Sequence, residues 1–298
     1  MPESCGTLGI SSPPSPRDPM VLLALDYSSI AYNTPQEAED YALGVLDATR
    51  FNFIQGGIDT EVVLAEYSGG RAIISFRGTE SMAKDMLLTN IGGWLATFVD
   101  DALGTDVVIH NGFLSEYRSV ESRIINALNS YNFNELIITG HSLGSALAQI
   151  CAYSLQRRGY PVTAVYGFGG PRVGKDGWKS VYERLGLQER TLLFVNRDDP
   201  IPSLRTQSTN DGWRHAGRLH KLTDGVCDPT SDNIVENYAT DQIWWDFNIP
   251  FIDDFFEMLE DGVQSLAMAG PHSLSEGYWP YLKNQCARGC PLEQYMEC

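Results

Sequence analysis

Apolar positions change period several times along the chain, and each change predicts an element. Residues 20–50 read as helix, with a break at Asn33-Thr34-Pro35. Glu61–Ser68 and Arg71–Phe76 then alternate or run apolar on either side of Ser68-Gly69-Gly70, the pattern of a hairpin. Helical periodicity returns over 114–130. Leu136–Thr139 reads as a short buried strand, followed by a sharp glycine-flanked turn and a helix to about Arg157. Val162–Tyr166 and Thr191–Val195 are further apolar strands, separated by a helix around 176–185, and Trp213–Leu222 reads as another strand. Strands that alternate with helices predict an α/β fold with a mostly parallel central sheet and helices on both faces. Residues 223–249 are acidic and aromatic without a clear period. From Pro250 an amphipathic helix is expected, with Phe251, Phe255 and Leu259 on its apolar face, stopped by Gly270-Pro271.

Composition narrows the class. There is no internal repeat and no linker after residue 19, so residues 20–298 are expected to form one domain. The insertion lies at about 223–268 within it, and residues 1–19 precede it as a disordered Pro/Ser-rich arm. Hydrophobic residues at 43% and charged residues at 20% exclude a disordered chain. A formal net charge of -17 argues against nucleic acid and strongly anionic membranes as partners, leaving uncharged lipids and small esters. No run approaches the roughly 18 apolar residues of a membrane span, so no transmembrane segment is expected. The first 19 residues lack a basic start and an apolar stretch, which argues against a secretory signal. Of the 6 cysteines, Cys286, Cys290 and Cys298 crowd the C-terminus, which predicts a disulfide-stapled tail and favours a secreted mature chain over a cytoplasmic one. A zinc site is disfavoured there, since the spacing is CxxxC with no nearby histidine pair. Cys151 lies in an apolar helical stretch and reads as a buried free thiol.

One pentapeptide carries chemistry. Gly140-His141-Ser142-Leu143-Gly144 is the only GxSxG in the chain, set between an apolar strand and a helix rich in small residues. A turn that tight forces the serine to positive φ and leaves no room for a Cβ at the flanking positions, hence the two glycines. The hydroxyl of Ser142 then stands at the positive end of the following helix, as a nucleophile should. A hydroxyl needs a histidine to take its proton and a carboxylate to orient that histidine. The chain order Ser, acid, His leaves Asp198 or Asp199 at the end of Thr191–Val195, and His215, His220 or His272 as base. His110 and His141 precede the acid and read as packing or hydrogen-bonding residues. The backbone N–H of Leu143 is one donor for the oxyanion of the tetrahedral intermediate.

Several segments together resemble the class 3 (fungal-type) lipase family. They are Phe76-Arg77-Gly78-Thr79, His110–Phe113, Gly140–Gly144, Phe168–Gly174 and Asn196–Pro202, in the family's order and spacing. The resemblance implies the α/β-hydrolase fold with a lid over the active site, and ester hydrolysis without a cofactor or metal. It implies Asp199 as the acid, because N-x-x-D-x-[VI]-P falls on Asn196, Asp199, Ile201 and Pro202. His272 matches the family's histidine-then-Tyr/Trp ending, whereas His215 or His220 corresponds to a structural histidine. The distance in sequence from Asp199 to His272 exceeds the family's usual one. Thr79 is implied as the second oxyanion donor, with Arg77 bracing the loops. The lid falls on 81–98, where Met82, Met86, Leu87, Ile91 and Trp94 supply an apolar surface suited to a lipid–water interface. The function so implied is an acylglycerol lipase. Phospholipase A1, feruloyl esterase and carboxylesterase share the chemistry, and a catalytically silent lipase-like scaffold is the rival of another class.

Overall fold

The computed structural model describes residues 13–15, 18–57, 60–78, 95–100, 105–196, 199, 201–203, 212–222, 274, 278–279 and 282. Helices α1 (Met20–Ile30) and α2 (Pro35–Gly44) come first. The break between them is a capping box: Thr34 accepts from the Glu37 N–H, and the Glu37 carboxylate takes the Thr34 N–H, with Pro35 opening the helix. Strands β1 (Arg50–Gly56), β2 (Thr60–Tyr67) and β3 (Arg71–Phe76) follow as an antiparallel meander. Next come β4 (Leu95–Asp100), β5 (Thr105–His110), α3 (Asn111–Leu128), β6 (Glu135–His141) and α4 (Leu143–Arg157). The remainder runs β7 (Val162–Phe168), β8 (Gly174–Lys175), α5 (Asp176–Arg184), β9 (Thr191–Asn196), β10 (Trp213–Arg214) and β11 (Arg218–Leu222).

Among the described residues the main sheet has 7 strands in the order β1-β2-β3-β6-β7-β9-β11, parallel from β3 onward. Successive side chains of a strand point to opposite faces, and both faces are dry. Leu136 and Ile138 of β6 enter a core built with α3, α4 and α5. Ile137 points the other way, into a core shared with α1, α2, Leu274, Tyr278 and Leu282. Buried hydroxyls tie α1 to the centre of the sheet: Ser28 meets Thr139 at 2.9 Å, and Thr139 donates onward to the Tyr166 carbonyl. Cys151 is a buried free thiol in α4, as expected, and burial pushes its pKa well up. No described helix is long and apolar enough to cross a membrane.

Three expectations are corrected. Helix does not extend to residue 50, because Arg50 opens β1, an edge strand whose alternate residues face water and so leave a sparse apolar pattern. Trp213–Leu222 is not one strand. Its first two residues pair with β8 in a second sheet, of 4 strands among the described residues, and its last five lie parallel to β9. The chain bends between them at Gly217, where a Cβ would come 2.4 Å from the Thr191 side chain. The end of the expected lid, Leu95–Phe98, belongs to β4 and pairs antiparallel with β5. Of the N-terminal arm, Pro14 is buried and its carbonyl accepts from Arg218 at 2.5 Å, so this part is tied to the edge of the sheet. The 223–268 insertion, the helix from Pro250 and the three tail cysteines lie outside the described residues.

Asp26 breaks the apolar rule on α1. It forms no hydrogen bond or ion pair among the described residues, and burial raises its pKa from 3.8 to about 7. A raised carboxyl pKa means the folded state holds the proton more tightly than the unfolded chain. The associated stability is present below pH 3.8 and is lost as pH rises through about 7. Asp26→Asn, which mimics the protonated form, is expected to stabilise the protein at pH 8 by about 1–2 kcal/mol after discounting for partial exposure. It should leave stability near pH 4 unchanged. Urea unfolding at the two pH values checks this.

Candidate active site

Strand β6 ends at His141, α4 begins at Leu143, and Ser142 alone makes the turn. Its backbone sits at φ 56° and ψ -126°, a region costing about 1–3 kcal/mol for a residue with a side chain. The Ser142 N–H donates to the Phe168 carbonyl at 2.9 Å, and the Ser142 carbonyl accepts from the Ser145 N–H at 3.0 Å, which hold it there. Both flanking glycines are sterically required. A Cβ at Gly140 would stand 2.3 Å from the Gly144 carbonyl oxygen, and one at Gly144 would stand 2.1 Å from that of Phe76. The sequence motif and its strain therefore coincide as expected.

Of the two amides expected to face Ser142, that of Leu143 lies among the described residues. Leu143 is the first residue of α4, so its N–H has no acceptor within the helix. Strand β3, hydrogen-bonded to β6 in parallel, ends at Phe76, and Gly78 then passes directly over the turn: a Cβ there would lie 2.8 Å from the His141 carbonyl oxygen and 3.1 Å from Ser142 Cβ. Thr79, next in the chain, lies outside the described residues, as do Met82, Met86, Leu87, Ile91 and Trp94. Arg77 braces this region: its guanidinium pairs with Glu61, and its N–H donates to the Glu61 carbonyl at 3.0 Å.

The candidate carboxylate lies just beyond strand β9. Asp199 follows its end, is fully buried, and donates its N–H to the Asn196 carbonyl at 3.1 Å. One carboxylate oxygen accepts from the Ile201 N–H at 2.9 Å, and the other accepts from the Tyr278 hydroxyl at 2.5 Å. That hydroxyl in turn accepts from the Asn196 N–H at 3.2 Å. Tyr278 is fully buried with its ring against His141 and Phe168, at 6.1 and 6.3 Å between centroids. Sequence reasoning missed this tyrosine as a site residue. It was visible only as part of the ending that follows His272, and nothing in the residues said that it reaches back to β9.

The histidines sort by environment. His110 is buried and packs on Phe113 at 4.3 Å, and His141 is buried with Nδ1 2.8 Å from the Tyr32 hydroxyl; both have the packing and bonding roles expected. His220 lies in β11 beside the Phe194 ring, at 5.8 Å. His215 places Nε2 3.0 Å from the Pro202 carbonyl, so it clamps the loop carrying Asp199. His272 and Asp198 lie outside the described residues. Burial, with the Arg172 charge nearby, lowers the His215 pKa from 6.5 to about 3. Its neutral form is the folded one, so the unfolded chain binds the extra proton between those values. Stability tied to this group is present above pH 6.5 and lost toward pH 3. His215→Asn should therefore show a shallower fall in stability than the parent protein over that range, by up to a few kcal/mol. Chemical unfolding at stepped pH measures the difference.

Residues 73–209, which run from β3 through the Asp199 loop, match the family model for lipase (class 3). That match takes in just under half of the chain and includes the Ser142 turn and the Asp199 loop. The chain is 31% identical over 185 residues to phospholipase A1-Ialpha2, chloroplastic, of Arabidopsis thaliana, covering 50% of this chain and 36% of that one. It is 31% identical over 181 residues to a lipase of Rhizomucor miehei, covering 56% of this chain and 46% of that one. Against secreted mono- and diacylglycerol lipase A of Penicillium camembertii it is 29% identical over 169 residues, covering 54% and 51%. The matched part spans between 30% and 54% of the lengths of the first curated relatives. Among solved structures, Rhizomucor miehei triacylglyceride lipase superposes with a TM-score of 0.55 at 23% identity, over 72% of this chain and 84% of that one. A triacylglycerol lipase whose catalytic centre is described as a serine protease triad gives 0.55 at 22% identity, over 69% and 80%. These likenesses establish the α/β-hydrolase fold.

Proposed function

We propose that this chain is a class 3 lipase, a carboxylic ester hydrolase that cleaves acylglycerols through an acyl-enzyme on Ser142. The observation that carries the reading is the positive φ of 56° at Ser142, between two glycines that tolerate no Cβ and at the start of a helix. Strain of that kind persists where the surrounding structure over-determines it, and it is common at working nucleophiles. In this reading His272 removes the Ser142 proton as the hydroxyl attacks the ester carbonyl, and Asp199 orients the imidazole and stabilises its charged form. The N–H groups of Leu143 and Thr79 receive the oxyanion. The alcohol leaves with the proton from His272, and water, activated by the same histidine, releases the fatty acid. No cofactor enters these steps. The competing base His215 has Nε2 committed to the Pro202 carbonyl, which supports His272.

Met82, Met86, Leu87, Ile91 and Trp94 form the apolar lid of this proposal, so the substrate is presented at a lipid–water interface. Among lipids, the net charge of -17 favours uncharged acylglycerols over anionic surfaces. The names of the relatives also include phospholipases A1 and a galactolipase, which keeps polar glycerolipids as the second substrate class. Relatives carry both secreted and chloroplastic names, and the clustering of Cys286, Cys290 and Cys298 favours secretion for this chain. A fluorophosphonate probe should label the parent protein and fail to label Ser142→Ala; an unlabelled parent would mark the silent scaffold. Turnover of long-chain triglyceride and diglyceride should rise steeply once substrate exceeds its solubility, and a preference for short soluble esters would instead mark an esterase.

A further inference from the structure

Tyr32, in the bend between α1 and α2, is far in sequence from every motif above. Its hydroxyl nevertheless lies at their meeting point, 2.8 Å from Nδ1 of His141, the residue just before Ser142. On its other side stands Gly78, where a Cβ would come within 2.3 Å of the same hydroxyl oxygen. The Arg77 guanidinium lies over the Tyr32 ring at 5.9 Å and is itself tied to Glu61. The backbone of the 77–78 turn is thus wedged between the nucleophile turn below and the Tyr32 hydroxyl beside it.

We propose that Tyr32, anchored by His141, is a positioning residue that sets the height of the oxyanion turn over Ser142. The proposal rests on the hydrolase reading and adds a part to it. The physical argument is one of tolerance. An oxyanion donor is effective only at about 2.7–3.1 Å from where charge develops, and a misplacement of about 1 Å costs on the order of 100-fold. Gly78 has no side chain to hold its own backbone in place, so an external stop is needed on the open side. A hydroxyl whose own position is fixed by a buried imidazole supplies one. Tyr32→Phe removes the stop and nothing else of size.

Steady-state kinetics on a soluble ester, and the inhibition constant of a fatty trifluoromethyl ketone that becomes tetrahedral on Ser142, test this well below the melting temperature. Tyr32→Phe should lower kcat by about 10- to 100-fold with KM changed less than about threefold. The ketone should weaken in proportion to the loss of kcat/KM. His141→Leu should reproduce the loss, whereas His141→Asn, which keeps a polar partner for the Tyr32 hydroxyl, should recover most of it. A purely structural role would lower the melting temperature or the active fraction, leaving the ketone's affinity for that fraction intact, and this result would overturn the proposal. So would parent-like turnover in Tyr32→Phe. A parent protein inactive on every ester, with Ser142→Ala no different, would sink the hydrolase reading itself and is thereby told apart.

Discussion

Ser142→Ala is expected to lower kcat by about 10⁶-fold, leaving only what binding and the oxyanion donors provide without a nucleophile. The effect should be confined to chemistry. Ser142 is 2% exposed, and alanine keeps its Cβ, so neither the packing nor the backbone bonds to Phe168 and Ser145 are touched. The strain at φ 56° remains as well, because alanine dislikes that region as much as serine does. The melting temperature should therefore stay within a few degrees of the parent value. Ser142→Gly sharpens the test: it loses the same turnover but relieves the strain, and should gain about 1 kcal/mol of stability. A serine whose loss costs activity while glycine stabilises is one kept strained for its work. Residual turnover above about 1% in either variant would mean that another group attacks the ester.

Much of this arrangement was legible from residues alone, for a physical reason. The parallel strands β6, β7 and β9 are covered on both faces, so they read as short unbroken apolar runs, and the Ser142 turn announces itself through glycines that sterics make compulsory. Edge and late-joining strands were harder. β1 alternates with water on one side, β8 is only two residues long, and β10 and β11 fall in one stretch that reads as a single strand although they belong to different sheets. Nothing local marks the place where such a stretch changes partner, apart from Gly217, whose need for closeness to Thr191 exists only after folding. The same holds at the site. The Ser142 turn was visible because its motif fixes it, whereas the strand end left Asp198 and Asp199 open and only the family resemblance pointed to Asp199. Tyr32 and Tyr278 were not visible, because their roles are contacts across 109 and 79 residues of chain and leave no spacing to read.

Asp199→Asn is expected to lower kcat by about 10⁴-fold, the second largest loss in the molecule. The native carboxylate accepts two hydrogen bonds on two oxygens, from the Ile201 N–H and the Tyr278 O–H. An amide has one oxygen and one NH₂, so one of those donors must meet another donor. Tyr278 could accept from the amide NH₂ as well as from the Asn196 N–H, but its own O–H would then lose the carboxylate oxygen it donates to. The amide oxygen therefore settles toward one donor at the other's expense, and the group offered to His272 in the proposed triad is an NH₂ or a strained carbonyl. The imidazole then loses both its preferred tautomer and the negative charge that stabilises its protonated form. Some stability goes too, about 1–3 kcal/mol for the buried mismatch. Tyr278→Phe separates the two causes: it removes one donor and leaves the charge, so kcat should fall only about tenfold while stability falls by a similar amount. Measuring kcat and urea unfolding for both variants decides the matter. Equal losses of turnover in the two would mean that geometry alone matters at Asp199. Near-parent turnover in Asp199→Asn would move the acid's role to Asp198 and leave Asp199 as a brace for its loop.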